Sequence, residues 1–147
     1  MHYGIALSYD QRRRRCDLAF DGQDFALDAT LLTPVLISLG CDRRAHPDDV
    51  LPDAVTDDYA PQRLNARRGW CGDALDQQGR LIGSRWWLML RRKQTEETRR
   101  LKESATAEAL SWVQQPVTIT VRWVRQGVLG TLIQVGAMAL NLTAPVA

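Results

Sequence analysis

The sequence predicts an α+β fold: a small antiparallel or mixed sheet, made of an N-terminal hairpin and a C-terminal strand pair, with two or more packed helices. Three observations carry this reading. A hairpin signal centres on Asp21-Gly22, helical periodicity with start and stop residues occurs twice between residues 32 and 113, and strict alternation begins at Val117.

Residues 1–15 show weak periodicity and end in four consecutive arginines, so they read as a flexible or partner-ordered arm ahead of a single domain over residues 16–147. Leu18 and Phe20, then Phe25 and Leu27, alternate with polar or small residues on either side of Asp21-Gly22. Asp-Gly supplies the two positive-φ positions of a tight turn. Thr33 is expected to cap a helix whose first residue is Pro34, where the missing N–H costs nothing. Leu32, Val35, Leu36 and Leu39 share its apolar face, and Gly40 stops it.

Residues 46–65 hold Pro47, Pro52, Pro61 and five aspartates, the composition of a surface loop. Gly69 and Gly72 then flank Trp70 in a tight turn. After a second turn at Gly79, the run Trp86-Trp87-Leu88-Met89-Leu90 is too short to cross a bilayer and is expected to be buried on both sides. Thr95 caps a second helix with Glu96 and Glu97 at its positive end, and Glu96 stands four residues before Arg100. Leu101, Ala105, Ala109, Trp112 and Val113 recur at helical spacing along it. Beyond Pro116, Val117, Ile119, Val121 and Trp123 line one face of a strand, and Thr118, Thr120 and Arg122 the other. Residues 128–140 return as a second strand, with Gly130 and Gly136 marking bends or bulges.

Length bounds the chain to one domain, since 147 residues suffice for one core. A net charge of +2 provides no global field for nucleic acid, yet the charge is blocky. Residues 42–58 carry six aspartates against Arg43 and Arg44, and residues 91–102 carry six cations against Glu96 and Glu97. Such blocks suit either solvated faces or charged neighbours. Cys16, Cys41 and Cys71 are too widely spaced for a zinc site or a disulfide framework, which fits a reducing compartment. No signal peptide or spanning segment is read, so a soluble protein made in cytoplasm is expected.

No catalytic constellation stands out. The turn at Trp70 lacks the GxxxxGK[ST] of a phosphate loop. Asp48-Asp49 and Asp57-Asp58 lack the alternating ligands and terminal Glu of a calcium loop. No cofactor is therefore expected. A lysozyme-like hydrolase would need two carboxyls held about 5–10 Å apart in a cleft, and Asp73 with Glu96 or Glu97 are the candidates. The two glutamates already have a structural task in the first turn of a helix. Nucleic-acid binding would rest on residues 12–15 and on Trp86-Trp87 beside Arg91-Arg92-Lys93, against the acidic loop and near-neutral total. Arg43 and Arg44, after the first helix, suit both a local role at its negative end and a clamp on a partner's carboxylate.

The series LLTPVLISLGCDRRA, then RRGWCGD, then GSRWWLMLRRKQTEET with an alanine-rich helix ending in Ala-Leu-Ser-Trp resembles the small baseplate protein of Mu-like contractile-tailed phages. The resemblance runs from about residue 16 to 135. That family is similar in turn to the wedge and sheath-initiator protein of T4-type phages and to the baseplate component of type VI secretion systems. It implies a small α+β domain and a structural, non-enzymatic role in the virion tail, assembled in the host cytoplasm. It also implies several copies in a ring, bound to other wedge proteins and to the hub, with the tail sheath a further candidate partner. Relatives carry an arginine-centred docking turn after a short helix, and Asp42-Arg43-Arg44 stands at that position here. The expected docking cluster is therefore Arg43, Arg44, Arg67, Arg68 and Trp70, with Trp86 and Trp87 behind it.

Overall fold

In the computed structural model, which describes residues 4–52 and 66–146, short strands open the chain, helices occupy its middle and a meander closes it. The first strands are β1 (Gly4–Ile5), β2 (Leu7–Asp10), β3 (Arg15–Leu18), β4 (Phe20–Asp21), β5 (Asp24–Phe25) and β6 (Leu27–Asp28). They pair antiparallel as three ribbons, β1 with β6, β2 with β3 and β4 with β5. All three meet at Ala6, Ala19 and Ala26. There the Ala6 N–H donates to Ala26 O (2.8 Å), Ala19 N–H to Ala6 O (2.9 Å) and Ala26 N–H to Ala19 O (2.9 Å). This cycle of backbone bonds satisfies the junction, and alanine keeps the three converging backbones uncrowded.

The expected hairpin is present but shifted. Phe20 faces Phe25, their ring centroids 5.0 Å apart, so the turn residues are Gly22 and Gln23. Only Gly22 takes a positive φ (68°), and Asp21 stays in the strand opposite Asp24. Cys16 pairs backwards with Tyr9. Residues 11–14, with most of the arginine run, turn the β2–β3 ribbon, and the boundary read between residues 15 and 16 passes through that ribbon. The Asp10 carboxylate accepts the backbone N–H groups of Arg12 (2.8 Å) and Arg13 (3.1 Å) at the tip. The ribbon is tied to the body where Leu7 N–H donates to Thr33 Oγ1 (3.1 Å) and Tyr9 O–H to Thr143 O (3.3 Å).

Helix α1 (Leu32–Gly40) starts earlier than its sequence signal. Thr33 is inside the first turn rather than at the cap, because Asp28 supplies the capping oxygen: its carboxylate accepts Thr33 N–H (2.9 Å) and Thr30 N–H (2.7 Å). The Thr33 hydroxyl is thereby left to bind the ribbon. Pro34 still falls in the first turn, where no donor is needed.

In α2 (Glu96–Ala109), Thr95 caps as expected, its side chain accepting Thr98 N–H (3.2 Å). Its buried face differs from the expected stripe. Thr98, Lys102, Ala105, Thr106 and Ala109 point inward, while Leu101 and Trp112 remain exposed. The offset has a polar cause. Trp86 Nε1–H donates to Thr106 Oγ1 (3.0 Å), and the Lys102 ammonium lies over the Trp86 ring, 4.0 Å from its centroid.

Three strands close the chain, β7 (Val117–Arg125), β8 (Val128–Val135) and β9 (Met138–Pro145), in the order β7-β8-β9. A strand pair was expected. Gly136 (φ 57°) turns the chain between β8 and β9 instead of bending one strand, which adds the third. Val35, Leu36 and Leu39 of α1, Ala109 and Leu110 at the end of α2, Ile133 and Val135 of β8 and Leu142 of β9 form the main core. The α+β reading thus holds: the described residues form two α-helices, and every sheet among them is antiparallel.

Candidate functional site

Three distant segments are laid side by side behind α1. Ser84 N–H donates to Cys41 O (2.9 Å) and Arg43 N–H to Ser84 O (3.0 Å). Ala45 N–H donates to Arg67 O (2.9 Å). Gly83, at φ 103°, makes the crossing possible: a Cβ there would sit 2.6 Å from Cys41 O and 2.7 Å from Arg43 N. Ser84 is buried and its hydroxyl donates to Leu39 O (2.8 Å), satisfying a free carbonyl at the end of α1. This alignment gathers Arg43, Arg44, Arg67, Arg68, Trp70, Trp86 and Trp87 into one region.

Most of them are engaged within the chain. The Arg43 guanidinium donates to Leu81 O (2.8 Å), and its Nε lies 3.2 Å from Glu108 Oε1 as a charge contact rather than an aligned hydrogen bond. Arg67 donates to the carbonyls of His46 and Pro47. Arg68 binds Asp42 (2.6 Å) and stacks over Trp87, 4.6 Å from the ring centroid. Trp87 is buried and donates to Arg43 O (2.9 Å). Trp86 is held by Thr106 and Lys102.

Arg44 and Trp70 face outward. Arg44 is exposed, pairs with nothing among the described residues, and rests its Cβ against Gly69. Trp70 is 50% exposed, with its indole folded over Gly72, where a Cβ would lie 2.2 Å from the ring. Gly69 (φ 108°) and Arg68 (φ 50°) shape the turn that presents it.

A network that the sequence did not announce braces this surface. Glu108 of α2 accepts Arg85 Nε–H (2.8 Å) on one oxygen, and the other lies 3.2 Å from both Arg43 Nε and His46 Nε2. Arg85 also reaches both oxygens of Asp49 (3.0 Å). Burial works against the charge of Glu108, but hydrogen bonds from Arg85 and His46 and the nearby guanidinium charges outweigh it and hold the carboxyl below its usual range. Asp49 is likewise lowered: burial opposes its charge, and the Arg85 and His46 hydrogen bonds prevail. Asp49 of the acidic loop thus meets Arg85 inside the chain. The loop's Asp57-Asp58 pair lies outside the described residues.

The carboxylates weighed for hydrolysis have other partners. Asp73 accepts Ile82 N–H (3.0 Å), and Glu97 pairs with Arg92 (3.7 Å). Glu96 binds Arg99 (2.6 Å) and Arg100 (3.3 Å), and the Arg99 hydrogen bond holds its carboxyl below the usual range, opposite to what a general acid requires. Among the described residues no group of three His, Cys, Asp or Glu is placed to hold a metal, and no helix is long and apolar enough to cross a membrane.

Residues 31–143 match the family described as phage protein GP46. The chain is also similar to the baseplate protein gp46 of Escherichia phage Mu, with 43% identity over 99 residues. That stretch covers 67% of this chain and 61% of the Mu protein, so the chain spans less than two thirds of its relative. No solved structure matches it. With the family match running from the start of α1 into β9, across every segment that builds the arginine and tryptophan surface, the chain belongs to the GP46 family of phage proteins.

Proposed function

We propose that this chain is a structural subunit of a contractile-tail baseplate in the virion, without catalytic activity. It is assembled in the host cytoplasm in several copies around the tail hub, joined to other wedge proteins and helping to start sheath assembly. Family membership and the name of the Mu relative support the baseplate reading. The observation that carries the docking role is the outward-facing set of Arg44 and Trp70: an exposed arginine with no partner among the described residues, its Cβ against the Gly69 that precedes a half-exposed indole, on a backbone fixed by the surrounding ion pairs. Arginine and tryptophan, held rigid before contact, are the residue types that concentrate binding energy at interfaces.

Arg44→Glu and Trp70→Ala are therefore expected to leave the thermal melt of the isolated chain unchanged within a degree or two while excluding it from particles. Co-purification with the neighbouring tail proteins, with the complexes weighed by native mass spectrometry, is the check. Normal incorporation of both variants would remove this pair from the interface. A wild-type chain that binds none of the tail proteins would remove the assembly reading itself.

A further inference from the structure

A cavity of about 520 Å³, open to solvent, lies between the β2–β3 ribbon, the end of α1, the turn at Trp86, α2 and β9. Its walls are mostly apolar. Its charged residues are Arg14, Arg15, Arg68 and Lys102 against one carboxylate, Asp42, which Arg68 already holds. Lys102 is 1% exposed, yet no carboxylate and no hydrogen-bond acceptor is paired with its ammonium among the described residues, and the Trp86 ring lies against it. An amine buried this deeply is costly to keep charged without an anion, and burial pushes it down to about 7. An occupant that brought a carboxylate would supply the missing partner, and bulky apolar groups beside it would fill the walls.

We infer that this cavity is a second docking site, taking a segment of another tail subunit that presents a carboxylate flanked by bulky apolar side chains to Lys102. The inference rests on the assembly reading above and names the chemistry of one partner contact. The site is separate from the Arg44–Trp70 surface, since neither residue lines the cavity.

The test uses the full chain in complex with its neighbouring tail subunits, treated with a water-soluble carbodiimide, which joins an amine to a carboxylate in contact with it. Peptide mass spectrometry is expected to find Lys102 linked to an Asp, a Glu or a C-terminus of the partner. A link to an aspartate of residues 53–65 would mean that the chain fills its own cavity and would overturn the proposal, as would no link in an intact complex. In parallel, Lys102→Met keeps the apolar bulk and removes the charge, so the isolated fold is expected to melt at the same temperature or higher. Its affinity for the partner is expected to fall at least tenfold; unchanged affinity would also overturn the site. Failure of the wild-type chain to form any complex would count against the assembly reading, whereas a wild-type complex indifferent to Lys102→Met counts against this cavity alone.

Discussion

At Glu108 the two carboxylate oxygens are divided among Arg85, Arg43 and His46, which ties the stretch after α1 and the tryptophan turn to α2. Removing that charge takes from the mostly sheltered Arg43 the one carboxylate paired with it among the described residues and leaves Arg85 with Asp49 alone. Glu108→Gln is expected to cost about 2 kcal/mol, less than the roughly 3–5 kcal/mol of a fully buried pair because the group keeps some contact with water. The same carboxylates set the response to acid. Glu108 and Asp49 titrate below their ordinary values, and the Thr30 hydroxyl, with backbone N–H groups, brings Asp28 to about 2. Each folded value is below the unfolded one. The stabilisation is therefore complete above the unfolded values near pH ~4 and is lost as pH falls through the folded ones. Urea midpoints for the wild type are expected to hold from pH 7 to 5 and to fall steeply from 4 towards 2. Glu108→Gln would start lower and fall less. None of these pairings was legible locally, because Arg85 sits in a run that reads as apolar and Glu108 in one that reads as alanine-rich packing.

Between elements, the decisive contact is the crossing of residues 41–43 with Gly83-Ser84, short of any regular sheet and joined by a single parallel bridge, Asp42 to Ser84. It places the arginine turn after α1 against the tryptophan turn. Gly83→Ala would put a methyl group against backbone atoms that cannot move aside and would strain a left-handed φ. A loss of about 3 kcal/mol is expected, read as a lower urea midpoint with an unchanged denaturant slope. Gly72→Ala is the instructive contrast: only the exposed Trp70 ring stands in the way, so the fold would hold and the indole emission would shift. Element by element, the sequence was readable where one residue type has one job. The Thr95 cap, the alternation from Val117 to Trp123 and the positive φ of Gly22 are such cases. Reading failed where a distant group took that job over. Asp28 displaced Thr33 from the cap, and Trp86 drew Lys102 and Thr106 inward in place of Leu101.

Across the whole molecule, the candidate cluster was legible as a composition but not as a division of labour. Seven arginines and tryptophans were expected to dock, and the fold sorts them. Arg43, Arg67, Arg68, Trp86 and Trp87 build the support, while Arg44 and Trp70 are left facing out. Which residues fall in each group depends on hydrogen bonds between positions 20 to 44 residues apart, beyond the reach of any local pattern. The ribbons also leave large apolar side chains exposed: Ile5, Leu18, Phe20, Phe25 and Leu27 are all more than 40% accessible.

The junction of Ala6, Ala19 and Ala26 ties the behaviour of those ribbons together in time. β1, β4, β5 and β6 are two residues long, far too short to persist alone, and β2 and β3 are only four. Each of the three bonds in the cycle is held in place by the strands that the other two position, so none opens by itself. One opening event releases them all, and the amides of Ala6, Ala19 and Ala26 are expected to exchange with solvent deuterium at a single shared rate. Three separate rates would mean that the ribbons breathe independently. A shared rate would make this end of the molecule one switchable unit, present whole or absent whole.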